Sequence, residues 1–403
     1  MTGTPERRQG VGAAARAAGV TVCGALPAFL TGGLAVQVRA DLDFSAALLG
    51  IAIAVYFGVS SVSSPYLGHA AQRLGLDRSA RLAATGSGMA LLVAAVTPNY
   101  AGLAMAMVIA GLANALAQPA ANGMLVRDVP VRWRALSFGI KQSAIPVATL
   151  VAGLAVPLIA LTLGWRWAYA FAALGALVVA LSGRSRASAI PSTPGAAPDG
   201  AARALEYAPL IVLGMSAALG TAAATSLGSF TTESAVDLGA SEATAGLLLA
   251  MGSVLGIGMR LLSGWYSDRS IRDPLVVVAL LLAGGSAGYA FMAGGMLQLY
   301  VAGVAFAFGL GWSWPAMFHF AVSRRYGASA AAATGVAQSG VYVGGVVGPV
   351  AFGLLAQHYS YSLGWAFAGG AAAIAALGIA TGARMLTRRD RGETASAAHG
   401  AEP

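Results

Sequence analysis

Long apolar runs separated by short polar ones organise the whole chain. A membrane helix needs about 20 largely apolar residues to cross a hydrocarbon core of roughly 30 Å. Twelve runs meet that requirement: 17–38, 46–70, 80–97, 101–125, 136–161, 165–183, 207–229, 243–264, 274–293, 297–320, 332–356 and 361–384, numbered here spans 1 to 12. Turn and polar signals divide them, among them Asp41-Leu42-Asp43, the loop from Gly75 to Arg81, Pro98-Asn99 and the stretch from Arg127 to Arg134. One connection differs from the rest. Residues 184–204 are rich in Pro, Ser, Ala and Gly and have no apolar periodicity, the composition of a flexible linker. The pattern predicts an all-α membrane protein with twelve transmembrane helices. Residues 1–183 and 207–384 form two six-helix halves, joined by the linker 184–206 and followed by a tail, 385–403.

Composition supports this division. The chain is 57% hydrophobic and only 10% charged, where a soluble domain carries about 25% charged residues. Fifty-four glycines suit helices whose backbones approach closely in lipid. The net charge of +9 would suggest a nucleic-acid partner only if it formed a patch on a soluble domain. Here the basic residues fall between apolar runs, so no nucleic-acid partner is expected. Cys23 is the only cysteine, which rules out an internal disulfide and a Cys-rich metal site. No cofactor or metal is expected. The basic N-terminus leads straight into an apolar stretch, as in a cleaved signal peptide. The many later spans of matching orientation favour an uncleaved first span.

Charge sets the orientation, since cytoplasmic loops hold the Lys and Arg excess. With the N-terminus inside, 20 of the 24 basic residues are cytoplasmic, including Arg16, Arg73, Arg78, Arg81, Arg127, Arg269, Arg324, Arg325 and Arg384. Arg39 and Arg166 fall outside, and Lys141 and Arg260 lie within spans. The expectation is a multi-pass protein of the cell (inner) membrane, with both termini cytoplasmic.

The second half repeats the first 196 residues later. That offset relates Gly68 to Gly264, Arg73 to Arg269, Asp41-Leu42 to Asp237-Leu238, Asp77 to Asp273, Pro119 to Pro315, and Gln142-Ser143 to Gln338-Ser339. Leu163-Gly164-Trp165 recurs at an offset of 200 as Leu363-Gly364-Trp365, so four residues are inserted between these landmarks. Six spans per half give both halves the same orientation. They are parallel repeats about an axis along the membrane normal.

The stretch from Gly264 to Asp268-Arg269 after span 8 resembles the loop signature of the major facilitator superfamily, which that family carries after spans 2 and 8. The first copy runs from Gly68 to Gln72-Arg73, with Gln72 where the family has aspartate. The resemblance covers the whole chain. It implies two pseudo-symmetric six-helix bundles, secondary transport of a small solute by alternating access, and a cytoplasmic latch built from Gly68, Arg73, Gly264, Asp268 and Arg269. The missing aspartate puts the N-terminal half of that latch in question.

Ionisable residues inside a span are costly and default to function. Lys141, the only lysine, lies about seven residues into span 5, and Arg260 lies eight residues before Asp268 in span 8. At about 1.5 Å per residue, both sit roughly 10–12 Å from the cytoplasmic boundary. In the family, spans 5 and 8 adjoin at the interface between halves, so the two cations are expected to form one anion site. Either side chain could instead snorkel to the interface. An arginine four residues before the motif glycine is similar to one in carboxylate transporters of the superfamily, oxalate/formate exchangers among them. Those place their lysine in span 11 rather than span 5. Gln142, Gln338, Tyr342, Gln118, Asn122, Tyr56 and Trp312 complete the expected substrate-binding set. Hydrogen bonding between helices is their alternative role.

Span 11 carries Gly340, Gly344, Gly348 and Gly353, which four-residue spacing puts on one close-packing face. No Asp or Glu occurs in the middle of a span, and Glu233 and Asp237 lie near the outer end of span 7. No proton-coupling carboxylate can therefore be named, and multidrug proton antiport is weakened. His319 in span 10 is a near-neutral titratable group within a span, where a hydrogen-bonded structural role is expected. The chain lacks HExxH and P-loop motifs, which argues against an enzyme or an ATP-driven pump. The expected partners are a small organic anion such as a carboxylate, a coupling ion and lipid, with the chain acting as a monomer. Alternatives are an exporter of drug-like or neutral molecules and a membrane receptor that does not transport.

Overall fold

The computed structural model describes residues 5–130, 137, 139–182, 207–269, 273–326 and 329–399. The predicted linker 184–206 lies outside them. Among the described residues every regular element is helical. Eleven helices are long and apolar enough to cross a membrane, and a twelfth apolar helix, Trp165–Leu181, has 17 residues. These correspond to the twelve spans. The last helix runs from Tyr361 to His399, beyond the end of span 12 expected at 384.

Side-chain caps fix where several helices start. The Ser45 hydroxyl accepts from the Leu48 N–H at 3.2 Å, and the Asn99 side chain accepts from the Gly102 N–H at 3.1 Å. Asp273 accepts from the Leu275 N–H at 2.9 Å, just before Pro274. Each satisfies an N–H that the first turn leaves without a partner. Span 1 ends its main helix at Gly33 and continues as a second, Ala35–Leu42. That helix closes at Asp43, the only non-glycine residue with positive φ among those described, at 48°.

A π-helical turn, Val156–Ala160, ends span 5, and another, Ala307–Gly311, interrupts span 10. The repeat mates Pro119 and Pro315 behave differently. Pro119 lies inside the unbroken helix Tyr100–Asp128, whereas Pro315 follows the break, at the start of Trp314–Tyr326. Pro is tolerated in a first turn because its missing N–H would have no partner there.

Packing follows the repeat. In the first half span 3 packs on span 6 and span 1 on span 5; in the second, span 9 packs on span 12 and span 7 on span 11. The halves meet along two seams, span 2 against span 11 and span 5 against span 8, with span 1 against span 7 between them. Close backbone approach makes the seams tight. A Cβ on Gly50 would sit 2.1 Å from the Pro349 carbonyl oxygen. In span 11, Gly340, Gly344 and Gly348 press on the carbonyls of Gly214, Ala218 and Ala222 of span 7, as the spacing predicts. Gly353 instead meets Ala46 of span 2. The helix twist has carried the row from the intra-half contact to the seam between halves.

Candidate substrate site and the contacts between halves

Arg260 comes off span 8 and reaches across the seam. Its Nη1 donates to the Gln142 carbonyl of span 5 at 2.6 Å, and its Nη2 donates to the Trp312 carbonyl of span 10 at 2.7 Å. The guanidinium carbon stands 6.0 Å from the Trp312 ring centroid, the outer limit of a cation–π contact. Its Nε is buried and has no hydrogen-bond partner. Arg260 is 9% exposed and Lys141 4%. The Lys141 ammonium donates to Gln118 Oε1 at 2.6 Å. Gln118 passes the contact to Asn114 at 3.2 Å, and Asn114 donates to the Ser60 hydroxyl at 2.7 Å. A polar line thus runs from span 5 through span 4 to span 2.

Neither cation has a carboxylate partner among the described residues. Spans 5 and 8 pair as expected, and Arg260 ends on the backbone one residue along span 5 from Lys141, while the Lys141 ammonium turns to Gln118 of span 4. A buried positive charge held only by neutral dipoles is costly without a counter-charge.

The other predicted residues divide. Gln142 takes part through its carbonyl, and Trp312 through its carbonyl and ring. Tyr342 shares a hydrogen bond with the Ser64 hydroxyl at 3.2 Å, the matching rung on the span 2–span 11 seam. Ser64 is the repeat mate of Arg260, so equivalent positions bridge both seams. The Tyr56 hydroxyl donates to the Gly24 carbonyl within the first half at 2.8 Å. Gln338 is half-buried and Asn122 exposed. Sequence spacing paired Gln118 with Asn122, but Gln118 turns back to Asn114. A residue at i−4 is as near as one at i+4, so spacing alone does not single out Asn114, nor Ser60 beyond it. His319 makes no hydrogen bond among the described residues, contrary to the structural role expected of it, and lies within electrostatic reach of Lys141.

Of the latch residues, Gly68 and Gly264 have open space where a Cβ would stand, and Arg73 is exposed. The side chains of Asp268 and Arg269 lie outside the described part. Nearby, at the basic end of the first half, a network joins spans 1, 3 and 4. Arg16 pairs with Asp77 and Asp128 at 3.4 and 3.3 Å, and Arg127 pairs with the same two acids at 2.9 and 2.7 Å. The repeat mate of Asp77, Asp273, is the helix cap described above.

The opposite end is closed by charge. Arg39 Nη1 donates to Glu233 Oε1 at 2.5 Å, and the Tyr361 hydroxyl donates to Glu233 Oε2 at 3.1 Å. Gln37 donates to Glu242 Oε2 at 2.6 Å. Burial works against the Arg39 charge, but Glu233 and Tyr361 outweigh it and hold the guanidinium above its ordinary range. Arg166 hydrogen-bonds Asp41 at this same end. That bond holds the Asp41 carboxyl below the usual carboxylate range.

The geometry is that of two pseudo-symmetric helical halves with a charged centre between them. The family profile of the Major Facilitator Superfamily matches residues 17–332 and again 215–402. The chain belongs to the Major Facilitator Superfamily. Solved structures agree on the fold. A bacterial homologue of the human lysosomal transporter Spinster, inward-facing and occupied, aligns with a TM-score of 0.68 at 15% identity, over 97% of this chain and 98% of that one. Its unoccupied inward-facing form gives 0.69 at 14% identity, over the same shares. A D-xylose–proton symporter gives 0.66 at 17% identity, over 90% of this chain and 95% of that one. No curated protein sequence matches significantly. Membership of this superfamily makes the chain a multi-pass secondary transporter rather than an enzyme.

Proposed function

We propose that this transporter moves a small organic anion such as a carboxylate by alternating access, with Arg260 and Lys141 as the charges that recognise it. One observation carries the reading: two buried cations, one from each half, Lys141 on span 5 and Arg260 bonded to the span 5 backbone, have only neutral partners among the described residues. A carboxylate would replace the carbonyls as the partner of Arg260 and take up its free Nε. Such charge-assisted bonds are stronger than neutral ones. Gln118 and Gln142 stand beside the two cations. Gln338, Tyr342, Tyr56, Asn122 and Trp312 supply further polar or aromatic surface as the halves move. The basic end is the cytoplasmic one by its arginine excess, which puts both termini inside and the latch residues Gly68, Arg73, Gly264, Asp268 and Arg269 at the inner mouth.

The aromatic packing at the centre favours a second reading, a neutral or drug-like substrate. Phe29 and Phe308 stand 5.5 and 5.2 Å from Trp312, an apolar floor on which a ring or a sugar face could rest. Uptake into proteoliposomes separates the two. Counterflow of oxalate, formate or succinate, lost in Arg260→Gln and partly kept in Arg260→Lys, supports the anion. Counterflow of xylose or of an aromatic cation that survives both substitutions supports the neutral or drug-like reading.

A further inference from the structure

Glu233 lies one turn from the end of the helix Tyr207–Asp237, and its side chain is 4% exposed. Its two oxygens are taken separately, one by Arg39 and the other by Tyr361. Arg39 belongs to the first half and Glu233 to the second, so the pair spans the division between them. Arg39 is anchored on its own side by donation from Nε to the Phe44 carbonyl at 2.9 Å. The other groups around Glu233 do not compete for this role. Tyr300 of span 10 donates to the Thr231 carbonyl, Asp237 is a turn away on the same helix, Glu242 of span 8 is taken by Gln37, and His358 at the end of span 11 is exposed. Among these groups Arg39 alone carries a fixed positive charge.

Thr221, Thr225, Ser229 and Glu233 follow one another at four-residue steps, which puts them in one line along span 7. The three hydroxyl residues are buried, at 8, 5 and 1% exposure. The Thr225 and Ser229 hydroxyls each donate to a carbonyl one turn back at 2.8 Å, leaving their oxygens able to accept. Gly32 of span 1 presses on Ser229, so at that level the line lies against the first half. It leads from the Glu233 carboxylate toward the middle of the molecule, where Gly228 touches Phe29 and Trp312.

We infer that Glu233 is the proton-carrying residue of this transporter, and that its pair with Arg39 is a gate which opens when the carboxylate takes up a proton. The inference rests on the alternating-access reading, but not on the identity of the substrate. Moving the halves apart at this end separates Arg39 from Glu233. A buried carboxylate deprived of its cation is strongly disfavoured, and one O–H bond formed on Glu233 removes the charge. Arg39 is then hydrated in the opened mouth. When the Arg39 end has shut and the basic end opens in turn, the Thr225 and Ser229 hydroxyls must turn from their carbonyls to pass the proton along the line to water there, and the restored carboxylate pairs with Arg39.

The test uses the full chain in lipid nanodiscs with Cys23→Ser, and spin labels on Leu163→Cys and Met296→Cys. These positions lie in exposed turns of opposite halves at the Arg39 end. No substrate is added, so a failed anion reading leaves the result intact. The wild-type label distance is expected to lengthen as pH falls through the carboxylate range. Glu233→Gln and Arg39→Gln are expected to hold the long distance at every pH, while Glu233→Asp keeps the pH response. A wild-type distance that ignores pH overturns the inference, as does a Glu233→Gln protein that stays closed or keeps the wild-type profile. The Asp variant and Tyr361→Phe, which retain the ion pair, guard against a variant that does not fold.

Discussion

Arg39 and Arg260 both cross from one half of the molecule to the other, yet they end on different chemistry. Arg39 finds the Glu233 carboxylate at 2.5 Å. Arg260 finds two backbone carbonyls and leaves its Nε without a partner. Leaving one buried charge of a pair without its partner costs about 3–5 kcal/mol, so an arginine meant only to hold the halves together would be given an acid. Arg39 has one. Arg260 is held in place by dipoles that a ligand can displace. On the proposed reading, the difference separates a contact the protein completes by itself from one it leaves for a substrate to complete.

The largest expected effect comes from removing the incomplete contact. Arg260→Gln should weaken carboxylate binding by roughly 10- to 100-fold, the equivalent of losing about 1.5–3 kcal/mol of charged hydrogen bonding, as measured by titration calorimetry on the purified protein. Lys141→Met should cost about 10-fold, because Gln118 and Asn114 keep the polar line in part. A loss with Gln118→Leu as large as that with Lys141→Met would show that the line, not the charge, matters.

Next come substitutions at the two kinds of helix contact. Gly340 packs within the second half, where a Cβ would stand 2.0 Å from the Gly214 carbonyl oxygen; Gly50 packs between halves against Pro349. Gly340→Val should destabilise the protein through overpacking by about 1–3 kcal/mol or more, read as a lower thermal midpoint. Gly50→Val should chiefly lengthen the label distance at the Arg39 end, since that contact must part during transport. Equal unfolding in both would mean that the seam between halves is as permanent as the interior of one.

The smallest effect belongs to the exposed pair Asp41–Arg166, with side chains 46% and 42% exposed. Because Asp41 is held below its ordinary value of 3.8, its contribution to stability is fully present above about pH 4 and is lost as pH falls through the lowered folded-state value. Asp41→Asn should therefore cost under about 1 kcal/mol at neutral pH and flatten the acid limb of a thermal-melting series. A larger loss would mark this pair as a structural tie between spans 1 and 6 of the first half.

Most of the scaffold could be read from the chain, because each span carries its own apolar window and each boundary its own turn residues. The repeat followed from residues such as Asp77, Pro119 and Gln142 that are rare in so apolar a chain. Three features could not be read in this way. The second helix of span 1 and the π turns of spans 5 and 10 depend on what each helix packs against, not on local propensity. Asn114 gave no signal beyond its spacing from Gln118. Glu233 was visible near the outer end of span 7, but its partner Arg39 lies 194 positions away. Only the approach of the two halves shows that the one acid buried there is already paired.

Carboxylate binding by three proteins, wild type, Arg260→Gln and Arg39→Gln, tests the contrast most directly. Each is titrated with oxalate, formate and succinate at low salt. Saturable binding that is lost in Arg260→Gln and kept in Arg39→Gln is the predicted result. Binding that survives Arg260→Gln unchanged, or that disappears equally in both variants, would contradict the account.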